Sequence, residues 1–126
     1  MATGRSAACG QPVRTNGVAP GMQILDRAHL SAQTFGDDDL ARELLGLFAE
    51  QCRRILPALS DGALPAADRA DLAHTLKGSA ASVGAERVRA LGNEVEGTLR
   101  DGDEPREALA GLAAAVAAVL AEIAAG

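Results

Sequence analysis

Within residues 36–59, GDDDLARELLGLFAEQCRRILPAL, the apolar side chains Leu40, Leu44, Phe48, Cys52, Ile55, Leu56 and Leu59 return at steps of three and four. That spacing gathers them on one face of an α-helix and leaves the charged residues on the other. Both ends of the helix are marked. Gly36 breaks the chain, and Asp37, Asp38 and Asp39 supply a cap and negative charge at the positive end of the helix dipole. Asp61 and Gly62 close the segment. Pro57 has no N–H to donate to residue 53, which predicts a kink or an early end near it.

The same pattern repeats outward from this helix. Upstream, order is expected to begin near Ile24 and Leu25, where Asp26 caps a short helix holding Leu30. Downstream, Pro65 suits the first turn of a third helix. The inward stripe of that helix runs from Asp68 or Arg69 at its edge through Leu72, Leu76, Ser79, Ala80 and Val83, and Gly84 stops it. A fourth helix over about 85–99 carries Val88, Leu91, Val95 and Leu99 on one face. Asp101, Gly102 and Asp103 form a turn, Pro105 restarts the chain, and the last helix carries Leu109, Leu112, Val116, Val119, Leu120 and Ile123. Short connections make successive helices antiparallel neighbours. The expected fold is therefore all-α, an antiparallel up-down four-helix bundle with a short extra N-terminal helix. Residues 1–21, with Gly4, Gly10, Gly17, Gly21, Pro12 and Pro20 and no apolar periodicity, are expected to be a flexible tail, and 22–126 the bundle domain.

Composition narrows the function. The 126 residues suffice for one domain, and with 48% apolar residues but no Trp, no Tyr and two Phe, its core must be aliphatic and rich in Ala. A net charge of −5, with basic residues scattered among acids, argues against a nucleic-acid partner. No apolar run of about 20 residues is evident and no signal peptide precedes the domain, so a cytoplasmic protein without a membrane partner is expected. Cys9 and Cys52 are too few for a disulfide framework, and Cys52 falls on the apolar stripe, where a thiol serves as a small hydrophobe.

The third helix carries the chemistry. At about 100° per residue, His74 projects away from the Leu72, Leu76, Ala80 and Val83 stripe, toward solvent. Its neighbours on that outer face are Ala67 and Ala70 before it and Gly78 and Ala81 after it, all small. An imidazole there stands clear, reachable by another protein, with Ala67, Ala70 and Ala81 as its docking floor. Lys77, one turn on, can reach a dianionic group attached to the ring. Gly78 weakens a helix interior, and its missing side chain leaves room for an incoming partner. An exposed His with a Lys one turn away is common on helices; the destabilising Gly and the small surroundings are not.

The whole string from His74 to Ala85, HTLKGSAASVGA, resembles the signature of histidine-containing phosphotransfer (HPt) domains, which reads His, any, Leu, Lys, Gly, then small residues and Gly-Ala. The flanks agree: Ile24, Leu25 and Asp26 resemble the family's entry, Gly36, Asp37 and Asp38 with Leu44, Leu45 and Phe48 its second helix, and residues 91–96 occupy the place of its fourth. The resemblance covers about residues 24–125. It implies that His74 is phosphorylated, at Nε2, that Lys77 interacts with the phosphoryl group, and that Gly78 leaves space for it. Pro57, Gly92 and Gly97 depart from a regular helix pattern outside this motif.

The function so implied is that of a phosphorelay carrier, accepting a phosphoryl group on His74 from a receiver-domain phospho-aspartate and passing it to another receiver. Partners are response-regulator receiver domains and a hybrid sensor histidine kinase. Neutral imidazole is a competent nucleophile near pH 7, since its unperturbed pKa is about 6.5. No glycine-rich nucleotide loop is present, which makes the chain a phosphocarrier and not a kinase. No carboxylate cluster for Mg²⁺ is evident near His74, so the chain itself is expected to bind no cofactor or metal and the receiver to bring the Mg²⁺. The alternative is a regulatory module that docks receivers through the same face without transfer. A metal site is remote, because His29 and His74 are the only histidines and lie on different helices. Ala115, Ala118 and Ala121 on the last helix signify tight packing within a monomer more readily than self-association.

Overall fold

The structure, a computed structural model, describes residues 23–126. The expected tail over 1–21, Cys9 included, lies outside the described residues. Five helices follow in order: α1 Arg27–Gln33, α2 Asp38–Leu59, α3 Ala66–Val83, α4 Glu86–Arg100 and α5 Arg106–Ala125. No strand occurs among the described residues.

The capping signals act where the sequence places them. Asp26 Oδ1 accepts the His29 N–H at 3.0 Å, and Asp37 Oδ1 accepts that of Leu40 at 3.1 Å. Helix α2 ends two residues beyond Pro57, whose missing N–H costs one bond in the last turn. Pro65 is the N-cap of α3, one residue ahead of its first turn. Between α1 and α2 the chain reverses through Phe35 (φ 54) and Gly36 (φ 76), both left-handed.

Gly84 ends α3 in a left-handed conformation, φ 81. Its carbonyl accepts the Asp26 N–H at 2.9 Å, and a Cβ placed on it would lie 2.9 Å from the Asp26 carbonyl oxygen. The entry to α1 is thus fastened on the α3–α4 turn at a point where only glycine fits.

Each long helix packs on the next, α2 on α3, α3 on α4 and α4 on α5, and α5 returns to α2, while α1 rests on α2 and α3. The bundle core holds Phe48, Cys52, Ile55 and Leu59 from α2, Leu76 and Val83 from α3, Val88 and Val95 from α4, and Leu112, Val116 and Val119 from α5. Each large aliphatic side chain fully buried there contributes about 1.5–3 kcal/mol. Burial pushes the Cys52 thiol up to about 11, in keeping with a packing role.

Helix α3 departs from its expected burial. Ala70, expected on the outer face, is fully buried, as is Ala73, whereas Leu72 and Ser79 are half-buried. The reason is that α3 has neighbours on two sides. One of its buried faces, Ala70, Ala73 and Ala80, is made of alanines, which carry little hydrophobic signal in sequence. Arg69 is buried too. Its Nε and Nη2 donate to the Leu59 carbonyl at 2.9 and 2.6 Å, at the end of α2, and its Nη1 and Nη2 pair with Glu104 at 3.1 and 2.7 Å.

Contrary to the expectation of no such run, α5 is long and apolar enough to cross a membrane by length and composition, with a mean hydropathy of 2.1. Much of that apolarity is alanine, and its large side chains Leu112, Val116 and Val119 are buried against the other helices.

Candidate functional site

Helices α3 and α4 approach closely where α4 has no side chain. A Cβ on the buried Gly92 would sit 3.5 Å from Lys77 Cβ and 3.7 Å from the Ala73 carbonyl oxygen. This contact sets the register that brings the polar face of α4, Asn93, Glu96 and Arg100, beside His74 and Lys77. His74 stands on the exposed face of α3 with 64% of its side chain accessible, while the Glu96 side chain is only 12% accessible.

Glu96 is the hub. Its Oε1 accepts Lys77 Nζ at 2.8 Å, its Oε2 accepts Arg100 Nε at 3.1 Å, and both oxygens lie 3.2 Å from His74 Nδ1. Lys77 Nζ also donates to Asn93 Oδ1 at 3.1 Å. Arg100 Nη2 reaches back to α3 and pairs with Asp71 Oδ1 at 3.1 Å. The Lys77 ammonium, followed by the His74 and Arg100 donors, outweighs the cost of burial and holds the Glu96 carboxyl down to about 2. An ionised carboxylate can only accept. Nδ1 is therefore the protonated ring nitrogen, and Nε2 of the neutral imidazole keeps its lone pair.

Around this group the surface is small and open. Ala67, Gly78 and Ala81 are exposed with His74; Ala70 is not, and leaves the proposed docking floor because it packs inside the bundle. A Cβ on Gly78 would meet nothing within 4 Å, and its φ is not positive, so neither packing nor backbone geometry requires glycine there. The Ser82 hydroxyl donates to the Gly78 carbonyl at 3.3 Å. On that side a groove of about 210 Å³ runs between α2 and α3, lined by Leu44, Leu47, Phe48, Gln51, Ser79, Ser82 and Val83, with Leu47 57% exposed.

Glu96, Asn93, Arg100 and Asp71 were not singled out from sequence. The signal open to sequence was weak: Asn93, Glu96 and Arg100 recur at steps of three and four on α4, opposite its apolar stripe, an ordinary solvated face. Two carboxylates, Glu96 beside His74 and Asp71 one turn before it on α3, are engaged by Lys77 and Arg100. Among the described residues no three His, Cys, Asp or Glu side chains gather as metal ligands.

Two of the solved structures to which the chain is similar are histidine phosphotransfer proteins. One, named as a histidine-containing phosphotransfer protein, from rice, aligns with a TM-score of 0.71 at 21% identity over 83% of this chain and 80% of its own, a likeness of fold. The other, the histidine phosphotransferase ShpA from Caulobacter crescentus, aligns with a TM-score of 0.63 at 33% identity over 82% of this chain and 89% of its own. No curated protein matches the chain. The profile of the Hpt domain matches residues 43–126, well over half of the sequence and the whole of the α3–α4 pair that carries His74 and Glu96, and the chain belongs to the Hpt domain family.

Proposed function

We propose that the protein is a phosphorelay carrier whose His74 accepts a phosphoryl group from the phospho-aspartate of one receiver domain and yields it to another. The observation that carries this is the Glu96–His74 contact, which supports an exposed Nε2 lone pair as the nucleophile. Nε2 attacks phosphorus, the bond from phosphorus to the aspartyl oxygen breaks, and the electron pair leaves with the aspartate. The ring becomes an imidazolium that keeps its Nδ1–H, so no proton need move. Glu96 stabilises that cation, and Lys77 lies within reach of the phosphoryl oxygens. Gly78 would leave space for the receiver's active site, and the groove beside Leu47 would take its apolar side chains. The chain offers no kinase machinery in this reading, and the Mg²⁺ that such transfer uses would be the receiver's.

The finer architecture that suits this role is an antiparallel up-down four-helix bundle acting as a cytoplasmic monomer, with receivers and a hybrid sensor kinase as partners. The test is phosphotransfer from a receiver charged with labelled phosphate to the wild-type chain and to His74→Gln. Acid-labile, base-stable label on the wild type alone supports the carrier. Binding without label on either would favour the module that docks receivers without transfer.

A further inference from the structure

Lys77 presents a difficulty for the proposed reaction. Its ammonium is already committed to Glu96 Oε1 at 2.8 Å, and a phosphoryl group on His74 would compete for it. If Lys77 turned to the phosphoryl group and nothing else held Glu96, two like charges would face each other across the imidazole. The carboxylate would swing toward water and release Nδ1. Arg100 answers this difficulty. It lies four residues after Glu96 on the same helix and donates Nε to Oε2, the oxygen that Lys77 does not use. Its other end is tethered to Asp71 on α3, one turn before His74. The guanidinium therefore spans both helices, holds Glu96 from the side away from Lys77, and neutralises the Asp71 carboxylate that would otherwise face the anionic phosphoryl group.

We infer that Arg100 is a positioning residue, which keeps the Glu96 carboxylate on His74 Nδ1 while Lys77 exchanges Glu96 for the incoming phosphoryl group. The inference rests on the phosphocarrier role of His74 and goes beyond it in assigning the two cations different tasks. Lys77 serves the transferred group and Arg100 serves the carboxylate. Asn93 Oδ1, 3.1 Å from Lys77 Nζ, is a neutral acceptor that keeps one hand on the ammonium as it turns.

The experiment uses the full chain labelled with ¹⁵N and reads the imidazole nitrogens at about pH 8. His74→Gln identifies the signals. The wild type is expected to carry its proton on Nδ1. In Arg100→Gln, His74 is expected to become a mixture of tautomers with an unchanged helical spectrum, and in Arg100→Lys, which restores a cation beside Oε2, to return toward the wild-type pattern. Phosphoramidate then serves as a donor that needs no partner protein: its P–N bond breaks, Nε2 bonds to phosphorus and ammonia leaves. Arg100→Gln is expected to be phosphorylated several-fold more slowly, with a phosphohistidine that gives up its Nδ1 proton more readily and decays several-fold more slowly. Retention of the Nδ1–H tautomer with unchanged phosphoramidate kinetics in Arg100→Gln would overturn the inference. So would a defect seen only with receiver donors, which would make Arg100 a docking contact. The tautomer is read without any receiver, so a wild-type chain that no receiver phosphorylates would sink the carrier role separately.

Discussion

Both carboxylate oxygens of Glu96 lie 3.2 Å from Nδ1 of His74, so an acid on α4 decides which ring nitrogen of a histidine on α3 keeps its lone pair. The pair links the two helices one turn of α4 beyond their close contact at Gly92, and the same carboxylate carries Lys77 and Arg100. Electrostatics and packing therefore meet in one residue.

Glu96→Gln is expected to slow phosphoryl acceptance by at least tenfold, since partners that fix a histidine's tautomer carry effects of roughly that size. The amide is neutral and can turn an N–H toward Nδ1, removing both the tautomer bias and the stabilisation of the imidazolium. Stability should respond with a defined pH dependence. The Glu96 carboxyl is held down at about 2 in the fold, against about 4.3 in the unfolded chain. Its contribution is thus fully present above pH ~4.3 and is lost as pH falls through about 2. Unfolding free energies of wild type and Glu96→Gln from urea titrations should differ by about 1–2 kcal/mol at neutral pH and converge on acidification. A gap that stays constant down to about pH 2 would rule out the ion-pair origin.

Gly78→Ala separates stability from transfer. An alanine Cβ there meets nothing within 4 Å and the helix gains rigidity, so the variant is expected to be more stable by about 0.5–1 kcal/mol. Receiver-dependent phosphorylation should nevertheless fall, while phosphoramidate, a small donor, should be affected less. Equal rates with both donors would show that no partner needs the space.

His74, Lys77 and Gly78 were legible because they lie within five residues on one helix, where a fixed angle per residue relates them. Glu96 was not, since its place depends on the register of α4 against α3, and that register rests on Gly92 meeting Ala73 and Lys77. The apolar steps of α5 reported its inward face, and those of α2 did so from Leu44 onward, while Leu40 in its first turn is exposed and Leu45 and Ala49 are buried beside the stripe. The apolar steps of α3 did not report its inward face, because Leu72, Leu76 and Val83 describe only one of its two contacts. Ala70 and Ala73, which face no solvent, look the same in sequence as the exposed Ala67 and Ala81. Arg69, placed with Asp68 as the alternative at the edge of the inward stripe, is the one that is buried, and only the end of α2 and Glu104 show how its charge is paired there.

Arg69→Met retains the buried stem of the side chain but removes every donor to Leu59 and Glu104. The last carbonyls of α2 have no further helical partner, so the lost bonds are not replaced. The expected cost is about 2–3 kcal/mol, read as a lower urea midpoint, with tautomer and transfer at His74 unchanged. Glu104→Gln should cost less, because its carboxylate is 48% exposed and water can replace the arginine. A transfer defect in Arg69→Met at temperatures where it is fully folded would contradict the separation of this clamp from the site.

Gly84→Ala tests how α1 is fastened. The substitution meets two penalties: a left-handed backbone, φ 81, costs a non-glycine residue about 1–2 kcal/mol, and the new Cβ would lie 2.9 Å from the Asp26 carbonyl. The second cannot be relieved by a rotamer change, because the obstacle is backbone. The bond from Asp26 N–H to the Gly84 carbonyl must then lengthen, and α1 should detach before the four long helices unfold. Amide hydrogen exchange is expected to accelerate at Asp26 and through residues 27–33, with protection in α3 and α4 largely kept and the Glu96 contact to His74 intact. Uniform acceleration across all five helices would mean that α1 is no separate unit and that its docking is part of the cooperative core.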